Sequence, residues 1–141
     1  MYKTKERLVE DFCKLLTANY GYSENQLGLD VNMGRGAVAD IAIWKSKEEK
    51  EKRSLPDVCV LVNVKSEHID IEEDDYFSKF KLASFQNIVF FVACNLKEKK
   101  VFFIDKKARP LKIEKINDFP QASDLVDEKK LIKFIMSSRN Y

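Results

Sequence analysis

Two short runs constrain this chain more than anything else in it. Asp57 to Lys65 reads DVCVLVNVK and Ile88 to Cys94 reads IVFFVAC. Both are nearly continuous in β-branched, aliphatic and aromatic residues, as strands buried on both faces are. Such strands need layers above and below the sheet, so an α/β architecture is expected rather than a bundle or a half-solvated meander. The segment between them is long enough for a right-handed crossover, which makes the pair parallel. Strand 57–65 ends in Asn63 and Lys65, two polar residues one position apart and therefore on one side of the strand.

The surrounding elements follow from periodicity. Leu8, Phe12, Leu15 and Leu16 form the apolar stripe of a helix from Lys5 to Tyr20, with Thr4 as N-cap and Gly21 at the left-handed C-terminal position. Gln26 to Met33 and Ala37 to Lys45 (AVADIAIWK) read as the strands of a hairpin turned by Gly34-Arg35-Gly36. The mixed-charge run Ser46 to Ser54 is solvated, either as a short helix or as a loop. The acidic stretch Asp70 to Asp75 precedes Tyr76, Phe77, Phe80 and Ala83, the pattern of a helix whose N-terminus is complemented by negative charge. Val101 to Asp105 returns as a hairpin strand, Leu111 to Ile116 adds a short one, and Pro120 precedes a last helix near Asp127 to Ser138. The order α-β-β-β-α-β-β-α gives an α/β sandwich, a central mixed sheet of about five strands flanked by helices.

Composition narrows the function classes. The chain has 141 residues, one domain's worth, with 45% hydrophobic and 34% charged residues. Lys and Arg total 25 against 23 Asp and Glu, so no polybasic character marks a bulk electrostatic nucleic-acid binder. No apolar run approaches the roughly 20 residues of a membrane span, and the charged start MYKTKER is no signal core, which points to the cytoplasm. Cys13, Cys59 and Cys94 are widely spaced and set among apolar neighbours, which makes them buried thiols rather than a disulfide or zinc framework. The single histidine, His68, has no nucleophile at motif spacing and reads as a surface or capping residue. Gly34-Arg35-Gly36 lacks the Gly-Lys-Ser/Thr ending of a phosphate-binding loop.

One residue jars in this scheme. Asp40 is a charge among the aliphatics of strand 37–45. Acids in strands commonly mark sheet edges; the other reading is a site. An aspartate on one strand meeting Asn63 and Lys65 on the next is the arrangement a divalent-metal phosphodiesterase needs. Oxygens hold the cation, the cation activates water, and the lysine orients it and offsets developing charge.

Here the sequence resembles the PD-(D/E)XK nuclease superfamily, whose pattern is Asp…(Asp/Glu)-x-Lys. The span from about Lys5 to Asp105 looks like the amino-terminal nuclease domain of type I restriction enzyme R subunits. The elements that carry the likeness are KERLVEDF, Gly21-Tyr22, GRGAVADIAIW, VCVLVNVKSEHIDI, YFSKFKLASF, IVFFVACN and KVFFID, with KIEKINDFP leaving the domain. The resemblance implies a restriction-endonuclease-like fold over residues 1–120, with residues 121–141 leading towards a helicase motor. It implies Asp40 as first metal ligand, Lys65 as catalytic lysine and Asn63 in the place of the second acidic ligand. It adds the Val64 carbonyl as a further ligand and an opening-helix glutamate, Glu6 or Glu10. On the residues alone, Glu6 and Glu10 lie off the apolar stripe, so a solvated face is the plainer reading of both.

The implied cofactor is Mg²⁺, with ATP entering only through a motor this chain does not hold. The implied partners are double-stranded DNA and the methyltransferase and specificity subunits of a type I complex. Two departures point to weakened or lost cleavage. Asn63 brings an oxygen but no charge, and Ser78 and Leu82 stand where the family commonly has Gln and Tyr. Glu67, two residues beyond Lys65, is a conceivable substitute acid. The alternatives are a non-catalytic DNA- or partner-binding module on the same scaffold, and a small regulatory α/β domain unrelated to nucleic acid.

Overall fold

A computed structural model describes residues 4–34, 37–52, 58–65, 88–95, 98–105 and 112–138. Among them the elements run α1 (Lys5–Asn19), β1 (Leu27–Gly34), β2 (Ala37–Trp44), α2 (Lys47–Glu51), β3 (Val58–Val64), β4 (Phe90–Cys94), β5 (Lys99–Asp105) and β6 (Lys112–Ile116). Two helices close the chain, α3 (Ala122–Leu125) and α4 (Glu128–Ser138). The helix expected after Asp75, with Ser78 and Leu82, lies outside the described residues, as do Glu67 and His68.

The sheet has six strands rather than about five, in the order β1-β2-β3-β4-β5-β6. The sixth is β6, whose outer positions are exposed; Ile116 alone among its residues is fully buried. Only β3 and β4 are parallel, with Val60 opposite Phe90 and Val64 opposite Cys94. The other neighbours are antiparallel. The parallel pairing expected of β3 and β4 is present and the result is a mixed α/β sheet, while the connection between the two strands lies outside the described residues.

Side chains alternate between two clusters on opposite faces. Val60, Val62, Val64, Phe90 and Val92 join Leu8, Phe12 and Leu16 of α1 on one face. Leu61, Phe91, Ala93, Phe102 and Trp44 belong to the other. Phe90 and Phe91 are both fully buried, so consecutive aromatics serve opposite layers.

Helix α1 begins where Thr4 accepts the Arg7 N–H at 3.2 Å. It ends where Gly21 turns at φ 76° and lets the Tyr22 N–H reach the Leu16 carbonyl. The mixed-charge run does form a helix, the five-residue α2, closed by an exposed Lys47–Glu51 pair.

The C-terminal segment packs on the first cluster. Phe119 is 1% exposed and contacts the rings of Tyr20 and Tyr22. The Tyr22 hydroxyl donates to the Pro120 carbonyl at 2.9 Å, and the Ala122 N–H donates to the Tyr20 carbonyl at 2.8 Å. Leu125 and Ile135 complete the layer. Among the described residues no helix is long and apolar enough to cross a membrane.

Candidate functional site

Strands β1 and β2 change sides halfway along. Leu27 and Ile43 pair and belong to the α1-covered cluster, whereas Val31 and Ala39 pair and belong to the opposite one. All four positions are odd, so an unbroken pleat would keep each strand's odd residues on one face. The switch occurs at Asp30 and Asp40. Asp30 has φ 50°, a left-handed conformation that Asp tolerates better than most residues. The ladder between β2 and β3 has its last pair at Ile41 and Val62, so the two strands part beyond Asp40.

Asp40 fills that parting. It is 7% exposed, and its Oδ2 accepts the Val64 N–H at 2.7 Å, in place of a ladder carbonyl. Its Oδ1 lies 2.9 Å from the Lys5 ammonium, reaching over from the start of α1. Asp40 therefore contacts the peptide between Asn63 and Lys65, the two residues expected to join it. The Lys65 N–H is turned to the other neighbour and donates to the Cys94 carbonyl at 2.9 Å. The Lys65 side chain is half-buried.

Asn63 faces differently from the expected cation. It alternates with Val62 and Val64 and pairs with Ala93, so it stands on the face of Leu61, away from α1. Its Oδ1 is buried, with no hydrogen-bond donor among the described residues. Glu6 and Glu10 are exposed on α1, and Glu10 is 3.5 Å from Lys14. The residue that α1 delivers to Asp40 is a cation, Lys5.

Sequence reasoning passed over Lys5, although Lys5, Leu8 and Phe12 follow the i, i+3, i+7 spacing that places it on the buried face. It also passed over Cys94 as a neighbour of Asp40. Burial first, and the negative charge of Asp40 second, push the Cys94 thiol up to about 12, against a lowering by Lys99. A cleft of about 140 Å³ lies beside them, walled by Leu8, Phe12, Val64 and Cys94, with Asp11 and Asn95 as its polar members.

A hard dication needs several oxygen ligands, with carboxylates among them. The described residues offer one carboxylate, already held by an ammonium and a backbone N–H, and one amide on the other side of the strand. No group of three His, Cys, Asp or Glu among the described residues converges on a point. The residues described do not fit an Mg²⁺ centre.

The fold is a mixed-sheet α/β domain with one buried acid among the described residues, at the parting of two strands, and a lysine at the end of the second. The family described as type I restriction enzyme R protein N terminus matches residues 4–120, most of the chain, and the protein belongs to that family. The match spans α1 through Pro120, and the helices α3 and α4 follow it. No curated protein and no solved structure matches the chain.

Proposed function

We propose that the chain is the DNA-facing domain of a type I restriction R subunit in which metal-dependent phosphodiester hydrolysis has been lost, so that it binds duplex DNA without cutting. Family membership supports the place in a restriction system. One observation carries the loss: Asp40 has both oxygens engaged, by Lys5 and by Val64, while the second acid position is Asn63. Sequence choice and ATP-driven movement then belong to other parts of the complex, its specificity and methyltransferase subunits and a helicase motor.

The alternative is that a weak Mg²⁺ site survives and cutting is slow rather than absent.

Supercoiled plasmid, incubated with the chain and Mg²⁺ or Mn²⁺, separates the two. The expected result is intact plasmid, together with salt-sensitive binding of a labelled duplex by fluorescence anisotropy in EDTA. Nicking that EDTA abolishes overturns the loss of cleavage. Absence of duplex binding at low salt overturns the DNA-facing role and leaves partner docking.

A further inference from the structure

A buried carboxylate has to be paired and hydrogen-bonded, or else take up a proton. The Asp40 side chain is 9% exposed and meets both needs with one partner per oxygen. The Val64 N–H belongs to the strand and comes with the fold. Lys5 is different. It is the first residue of α1, at the positive end of the helix dipole, where a basic side chain is disfavoured. Its side chain is 51% exposed, so water is within reach, yet the ammonium closes on Asp40 at 2.9 Å. Leu8, Phe12 and Leu16 seat α1 on the sheet and fix where the Lys5 stem starts.

We infer that Lys5 is a built-in counter-ion, its ammonium standing at Asp40 where the family's divalent cation would stand. Lys5 thereby closes the one Asp40 oxygen that the Val64 N–H leaves open. This rests on the non-cleaving reading above and deepens it. Asp40 and Lys5 sum to zero, which leaves nothing at that oxygen to attract a dication. Asn63→Glu adds its charge on the other face of β3 and leaves the ammonium in place. Removing the Lys5 charge alone leaves a single carboxylate. Lys5→Glu in one step brings a second carboxylate to Asp40 from a helix position that already reaches it.

The test is thermal unfolding and calorimetric titration with MgCl₂ and CaCl₂, against NaCl of equal ionic strength. The proteins are the unmodified chain, Lys5→Glu, Lys5→Gln and Asn63→Glu. The unmodified chain should show no metal-specific shift. Lys5→Glu should melt lower in EDTA and regain about 5 °C in about 10 mM Mg²⁺ or Ca²⁺. Lys5→Glu should bind metal at least about tenfold tighter than Lys5→Gln, and Asn63→Glu, on the other face of β3, should show no gain. Position 5 is half-exposed, so Lys5→Glu and Lys5→Gln keep the test decisive if Asn63→Glu fails to fold. Equal affinity of Lys5→Glu and Lys5→Gln, or no metal response of Lys5→Glu, overturns the counter-ion role. A metal response of the unmodified chain matching that of Lys5→Glu overturns it too. Nicking in the plasmid assay strikes the non-cleaving reading instead, so the two failures are distinct.

Discussion

The Asp40 carboxylate holds the Val64 N–H at 2.7 Å, across the point where β2 leaves β3. A side chain thereby completes a ladder that the backbone abandons. The Val64 N–H points to β2 and the Lys65 N–H to β4, so the two sides of β3 are satisfied by different means at its last turn of pleat.

Asp40→Ala should therefore be costly. It leaves the buried Val64 N–H without an acceptor and Lys5 without its anion, a loss of about 2–4 kcal/mol by the usual penalties for orphaned buried groups. Asp40→Asn keeps an oxygen for Val64 and should lose less, about 1–2 kcal/mol. Urea denaturation of the three proteins gives the comparison; equal loss for both substitutions would remove the hydrogen bond from the explanation.

Asn63 presents the opposite case. Its Oδ1 is buried with no donor among the described residues, so the residue costs stability where it stands. Asn63→Leu, close in volume and facing Leu61 and Ala93, should raise stability by about 1–2 kcal/mol. A fall in the urea midpoint would mean that the amide has a partner under solution conditions. Such a gain on removing a polar residue is the usual mark of a position not chosen for folding.

The strands were legible because burial on both faces leaves a run such as VCVLV or IVFFVAC no other home. The first helix was legible from Thr4, Gly21 and the stripe between them. The site was legible only in part. Asp40 stood out as a charge among aliphatics, and its meeting with the Asn63–Lys65 segment was expected. Its direction was not, because period-two reasoning assumes an unbroken pleat and the Asp30 and Asp40 positions break it in both strands together. Lys5 was missed because a terminal lysine on a charged stretch reads as solvated, and only its spacing to Leu8 and Phe12 says otherwise. The short α3 carries no period of its own; contacts with α1, through Tyr20 and Leu125, hold it.

The hairpin supplies a packing prediction. A Cβ built on Gly28 would come within 2.7 Å of Trp44 Cζ3 and 3.0 Å of Val31 Cγ2. Trp44 is 1% exposed and cannot give way freely. Gly28→Ala should destabilise by about 1–3 kcal/mol through overpacking. Trp44 is the chain's only tryptophan, so its emission reports the site directly. A red shift with a lower melting temperature is expected. Unchanged emission and unchanged melting would show that the ring shifts at no cost.

Alkaline pH should unfold the domain from the Asp40 side of the core. Burial, then Asp40, raise the Cys94 thiol from 9.0 to about 12, and burial first of all raises the Tyr22 phenol above its ordinary 10.0. A group whose pKa is raised in the folded state holds its proton more tightly there. Its stabilising effect is full below the unfolded value and is lost as pH climbs towards the folded one. For Cys94 that window runs from about pH 9 to about pH 12 and amounts to about 2–3 kcal/mol by pH 11. Urea midpoints measured from pH 7 to pH 11 should be flat to about pH 8.5 and then fall. Cys94→Ala should lessen the descent from about pH 9 upward, the remainder coming from the raised Cys13 thiol and Tyr22 phenol. The same burial protects the thiol: iodoacetamide at pH 8 should leave Cys94 unmodified in the native domain and label it in urea. Rapid native labelling at Cys94 would show that the core beneath Asp40 opens to solvent, and would move the origin of any alkaline unfolding elsewhere.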